Sequence, residues 1–402
     1  MALTPIQKQL GKPMTRKQFL GFVLVAFASV FGVSALLRQL LSANTATTAS
    51  IEAEAGTQSG NVTTVTDATA SAGKSIKFGA ASNPRDALVI GSYKPSASTT
   101  GVLAGTVLTD YNLPSVDTLT ITTNNTIIEN YRVYGDIKIQ ATGVRIRNCL
   151  LVGGNHTPAT QSGIVDCNAA NCFDALIEDC DIVPRKIALN RDGIVGHEYT
   201  ARRCHIRNTI DGLGAFNKPD GSSEANVTIA GCYVHDLAYF YPDYRNGVSG
   251  ATLHTDGSHN DGLQIQGGAN IHVIGNNFMA TAIAGPGTQA NPAKPWLVGQ
   301  GMANGSALLI QKQSTTAALV NVVAEKNWLM GGLAEASLMA GSYTFRNNIC
   351  NRSVATGTGH SGYWLRAESR ATAIVTGIET NRWEDTGAPL TEPRASGIHY
   401  NA

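Results

Sequence analysis

Eight short segments of the chain share one pattern, an alternation of apolar and polar residues that closes on a cysteine or an asparagine. They are VRIRNC (144–149), LIEDC (176–180), ARRC (201–204), TIAGC (228–232), HVIGNN (272–277), VAEKN (323–327), TFRNN (344–348) and GIETN (377–381). Period-two alternation marks a strand with one buried face. Recurrence at mostly 20 to 35 residues, with two longer gaps, is what a solenoid gives when each coil supplies one such strand and the loops differ in length. Stacking the segments at the roughly 4.8 Å spacing of neighbouring strands aligns their last residues in one column: Cys149, Cys180, Cys204, Cys232, Asn277, Asn327, Asn348 and Asn381. The fold class expected is all-β, a parallel β-helix over 116–402 behind a linker and cap over 81–115.

Composition agrees and narrows the partners. In 402 residues, 43% are hydrophobic and 15% charged, enough apolar material for a large ordered core. Forty-two glycines beside 6% aromatics suit short strands and tight turns. A net charge of +1, with no Lys/Arg stripe beyond the first forty residues, argues against a nucleic-acid partner.

Phe19 to Leu37 carry no charge, and this run is long enough to cross a bilayer core of roughly 30 Å. Lys8, Lys12, Arg16 and Lys17 precede it and Arg38 alone follows, which puts the N-terminus in the cytoplasm. The expected order is a basic tail (1–18), a transmembrane helix (19–41), a Ser/Thr-rich linker (42–50) and an extracytoplasmic remainder, in a single-pass cell-membrane protein. Small residues in SANTA leave secretion after signal cleavage as the alternative. Thr15 to Leu20 also resemble a twin-arginine export signal with lysine in the second basic place.

The column accounts for four of the seven cysteines as core, and Cys350 sits in a strand pattern. Cys167 and Cys172 flank a tight loop, where they either close a small disulfide or remain thiols.

A second column runs through SGI (162), DGI (192), DGL (211), DGL (261), SAL (306) and ASL (336), so Asp192, Asp211 and Asp261 stack on successive coils. Like charges so close require a proton or a cation between them, unless the carboxylates only accept backbone N–H bonds and shape turns. HTDGSHNDGLQIQGG (254–268) adds His254, Asp256 and His259 beside this column. The two longest insertions, 237–260 and 281–305, enter just before the same strand position. They bring Tyr239, Phe240, Tyr241, Tyr244, Arg245 and Trp296 as a wall with aromatic faces suited to sugar rings, with Gln266 on the following strand and Lys312 one coil on, level with Gly267.

The repeat, the strand DGLQIQGGANIHVIGNNF and its HND lead-in are similar to the right-handed parallel β-helix proteins of the pectate-lyase-like superfamily, over roughly residues 100–402. The resemblance implies a right-handed single-stranded parallel β-helix. It fixes the reaction poorly, because that superfamily holds polysaccharide lyases, glycoside hydrolases, epimerases and non-catalytic adhesins. It also includes homotrimers. Residues 51–80 resemble the opening strands of family 6/35 carbohydrate-binding modules, which implies a structural calcium at Glu52 and Glu54; read alone, they form a capping hairpin. The polygalacturonase set of paired aspartates, Gly-His-Gly and Arg-x-Lys is missing, and GIVGHEYT (193–200) only touches it.

Three functions follow as expectations. A lyase acting on an acidic polysaccharide would hold calcium on Asp211, Asp256 and Asp261 and draw its base from His254, His259 or Lys312, with Asp261 central and Arg245, Tyr244, Trp296 and Gln266 binding substrate. A hydrolase would use two of Asp192, Asp211 and Asp261. An adhesin would bind a surface glycan without turnover. Should the wall not be the site, Asp192 and His197 are next.

Overall fold

A computed structural model describes residues 83–112, 117–220, 222–244, 254–292, 301–312, 316–332, 334–351, 363–393 and 396–401, together with the strands Val62–Thr66 and Lys74–Phe78. The expected transmembrane helix and the linker after it lie outside the described residues, as do Glu52 and Glu54. Among the described residues no helix is long and apolar enough to cross a membrane. The chain falls into two compact units that meet in sequence between Asn83 and Pro84. In the first unit Val62–Thr66 pairs antiparallel with Lys74–Phe78, Val62 opposite Phe78.

The second unit is all-β and parallel. Asp136–Ile139, Arg145–Arg147 and Leu150–Leu151 make one coil, and the next begins at Ser162–Cys167. Each coil places one strand in each of three sheets of ten, nine and ten strands. The first sheet runs from Thr118–Ile121 to Ile398–Tyr400, the second from Ile127–Glu129 to Ala373–Thr376, and the third from Thr109–Asn112 to Arg382–Trp383. This strand order fits a parallel β-solenoid that starts ahead of residue 116. The described residues include two 3-10 turns, Pro84–Ala87 and Ile378–Thr380.

Alternation sends every second side chain inward, and register keeps like beside like. In the first sheet Ile137, Val165, Ile194, Leu213, Leu263 and Leu308 stack. In the third, Leu151, Ile182, Ile206, Val234, Phe278 and Leu329 do the same. All are fully buried, and each aliphatic member contributes about 1.5–3 kcal/mol of transfer free energy.

The column of small residues lies at the turn from the second sheet to the third. There Asn130, Asn148, Asp179, Arg203, Gly231, Gly275, Lys326 and Asn347 adopt left-handed φ between 50° and 65°. Asn, Asp and Gly tolerate this conformation best. The residue after it turns inward: Cys149, Cys180, Cys204 and Cys232, then Asn276, Asn327 and Asn348. This corrects the expected column by one place, since Asn276 continues it. The Cys232 amide donates to Asn276 Oδ1 at 2.8 Å, and Asn276 Nδ2 donates to Asn327 Oδ1 at 2.9 Å. Asn277 falls on the outer face of the third sheet and donates to Pro95 O. Gly275 is required twice over, by its φ of 64° and because a Cβ there would lie 2.4 Å from the Gly91 amide.

All seven cysteines are buried free thiols, so Cys167 and Cys172 are not bridged. Contact with Cys172 and burial push the Cys167 thiol well above its ordinary value. The second expected column also needs adjustment at its ends. Asp192 is level with Gly163 rather than Ser162, and Ser306 pairs with Ala334, leaving Ala336 beside Leu308.

Candidate functional site

Asp192, Asp211 and Asp261 do stack, at the corner where the chain passes from the third sheet to the first. All three are enclosed. Asp192 Oδ1 accepts the Asp211 amide at 3.2 Å, Asp211 Oδ1 the Asp261 amide at 2.7 Å, and Asp261 Oδ1 the Ser306 amide at 2.7 Å. Gln161 Nε2 bridges the lower pair, 2.8 Å from Asp192 Oδ2 and 3.3 Å from Asp211 Oδ2. The glycine after each aspartate allows the strands to close up: a Cβ on Gly262 would meet Ala307 O at 2.5 Å. The Asp-Gly repeat thus ties each coil's entry to the next, with side-chain oxygens serving backbone donors.

The two long connections enter at this corner on consecutive coils, one between Leu237–Tyr239 and Leu263–Ile265, the other between Ala282–Ala284 and Ser306–Ile310. Their aromatic residues divide. Tyr239 and Phe240 are buried and brace the loops, contrary to the expected wall of open faces, while Tyr244 is exposed. Three donors fix the Asp256 carbonyl: Tyr239 Oη at 2.7 Å, Asn291 Nδ2 at 3.0 Å and Asn304 Nδ2 at 3.1 Å. Asn260, fully enclosed, donates to Ile210 O and Ala238 O.

On this pinned backbone His259 Nε2 lies 3.2 Å from Asp256 Oδ1, and its ring stacks on His254 with centroids 3.9 Å apart and planes 10° from parallel. The His259 side chain is 46% exposed, so the pair meets solvent. An imidazole oriented by a carboxylate is the arrangement of a positioned proton acceptor.

The structure does not bring all the expected residues together. Lys312 is exposed and, by register, level with Gly267. The residue level with Asp261 on that coil is Ser306, six positions earlier, or roughly 20 Å along an extended strand. Gln266 lies at the same far end, its carbonyl accepting the Thr316 hydroxyl. Arg245 and Trp296 lie outside the described residues. Of the expected calcium ligands, Asp211 and Asp261 each offer Oδ1 to a backbone amide, and among the described residues no group of three or more His, Cys, Asp or Glu is placed to hold a metal ion. His197 is fully enclosed, with neither ring nitrogen hydrogen-bonded, and burial holds its pKa below the ordinary histidine value.

A polar chain on the outer face of the third sheet went unread in the sequence. His205 Nδ1 lies 2.9 Å from Asp181 Oδ1, His205 Nε2 is 2.8 Å from His235 Nε2, and His235 Nδ1 is 2.9 Å from Asp236 Oδ2. Burial works to raise the Asp181 carboxyl, but hydrogen bonds from His205 and the Val102 amide hold it below the usual range. The signal was the cysteine column: once Cys180, Cys204 and Cys232 are level, the next residues, Asp181, His205 and Tyr233, must share one outward row.

Comparison with known proteins gives no further guide: no family model, no curated protein and no solved structure matches the chain.

Proposed function

We propose that this protein is a right-handed parallel β-helix of the pectate-lyase-like kind, held outside the cytoplasm by its N-terminal apolar run, that binds an acidic polysaccharide at the loop wall and cleaves it by β-elimination. The observation that carries this reading is the exposed His259, set against Asp256 on a backbone fixed by Tyr239, Asn291 and Asn304. Histidine takes a proton near neutral pH. Here it would remove the proton beside a uronate carboxyl group. The electron pair left behind forms a carbon–carbon double bond, and the glycosidic C–O bond breaks, its oxygen taking a proton from water. Asp256 orients the ring. Neutral sugars lack this acidic proton and are excluded as substrates. Lys312 and calcium have no part in this reading.

The second reading, a glycan-binding adhesin, is favoured by one observation: the aspartate column accepts backbone amides along its length. The purified protein, incubated with polyuronates, separates the two. Elimination produces unsaturated ends that absorb in the ultraviolet; they should appear equally with and without a chelator, and His259→Ala should slow them at least 100-fold. Binding without product, unchanged in His259→Ala, would establish the adhesin.

A further inference from the structure

The outer face of the third sheet carries a second site of different chemistry. The row that begins at Asp181, His205, Tyr233 and Asn277 continues as Trp328, Ile349 and Arg382 on three consecutive coils. The lower part of this row is covered by the chain leading into the solenoid: the Val102 amide donates to Asp181 Oδ2, and Pro95 O receives Asn277 Nδ2. Beyond Asn277 the row opens into a cleft of about 550 Å³, lined by Trp328, Ile349, Arg382, Asn347, Thr380 and Glu384 among others. That volume is within the ordinary range for a small-molecule site.

The lining has a division of labour. Trp328 and Ile349 are half-buried on the outward row and offer an apolar floor. Arg382 is steadied by its own Nη1, which donates to Glu379 O at 2.9 Å and Asn381 O at 3.0 Å. Glu384, the one acid among the described residues that line the cleft, has its charge met by Lys94 Nζ at 2.6 Å and also receives Asn351 Nδ2. With that acid compensated, Arg382 sets the sign of the cleft. Trp328 and Arg382 are two coils apart, about 10 Å along the stack. A sugar ring lying on the indole can therefore extend an anionic substituent towards the guanidinium, whose planar fork suits a carboxylate.

We propose that this cleft is a second saccharide-binding site, selective for an acidic sugar, in which Trp328 supplies the stacking platform and Arg382 pairs with the carboxylate. It uses none of the loop-wall residues and holds whether or not the wall is catalytic. The probes are a short oligogalacturonate and a neutral oligosaccharide of equal length, added to the full chain labelled with 5-fluorotryptophan. The Trp328 fluorine resonance, identified by its loss in Trp328→Phe, reads this site alone. It should shift saturably with the oligogalacturonate, and Arg382→Gln should weaken that titration at least tenfold while His259→Ala leaves it unchanged. An unmoved Trp328 resonance overturns the site. A shift that is equal for the neutral oligosaccharide and indifferent to Arg382→Gln overturns the selectivity for acidic sugars.

Discussion

Asp261 acts on the fold through the amide of Ser306, whose N–H it accepts at 2.7 Å from an enclosed position. Asparagine keeps an acceptor oxygen in the same place, whereas alanine leaves that buried N–H without its partner. Asp261→Asn should therefore stay folded, and Asp261→Ala should lose about 1–3 kcal/mol in urea unfolding. His259→Ala, at the surface, should change stability by less than about 0.5 kcal/mol while removing the proposed activity. A large stability loss in His259→Ala would show that the Asp256 pair is a loop brace. The stacking of the three aspartates was legible in the sequence, because the Asp-Gly pairs recur in phase with the strands. Their hydrogen bonds were not, since spacing does not say which carboxylate oxygen a backbone amide takes. The same limit applies to Tyr239 and Phe240, whose burial depends on loop residues folding back over them.

At the scale of the element, the inward column changes character at one junction, where the Cys232 amide meets Asn276 Oδ1. Below it, thiols, which are weak donors, contact carbonyls, as Cys180 Sγ does Glu178 O at 3.2 Å and Ile146 O at 3.7 Å. Above it, each asparagine is bound on both sides. Asn327 Oδ1 accepts the Asn276 amide and Nδ2, and its own Nδ2 donates to Val273 O and Asn348 Oδ1. Alanine at 180 removes mainly packing, whereas alanine at 327 strands several buried polar groups together. Cys180→Ala should thus cost about 1 kcal/mol and Asn327→Ala about 2–4 kcal/mol, a difference that paired urea titrations resolve. Equal costs would mean that the amide ladder adds nothing beyond volume. The column itself could be read from alternation alone, but Asn276 and Asn277 could not be told apart by type. The turn decides between them: the inward residue follows the left-handed one, and in HVIGNN that residue is Gly275.

Across the whole molecule, ionisable groups whose titration burial or hydrogen bonding shifts set how the parallel β unit meets acid. Burial holds the His197 pKa below the ordinary value of about 6.5, so between those two values the unfolded chain binds a proton that the folded chain refuses. Its contribution to stability is complete above about pH 6.5 and is lost as the pH falls towards the depressed folded value. A second loss follows at lower pH. The His235 hydrogen bond holds Asp236 below the usual carboxylate range, and Arg346 and His272 overcome burial to do the same for Glu325. The Asp236 contribution is full above about pH 4 and that of Glu325 above about pH 4.5, and both vanish as the carboxylates protonate. Asp136, raised by burial despite Arg191, works in the opposite sense, because its protonation on acidification relieves a cost. Thermal melts from pH 7.5 down to 3 should therefore show Tm falling in two stages, the first beginning near pH 6.5. In His197→Gln, which has no proton to gain, the first stage should disappear and the second remain. A wild-type Tm that is flat from pH 7.5 to 5, or a first stage that persists in His197→Gln, would mean that the enclosed imidazole does not set the early acid limit.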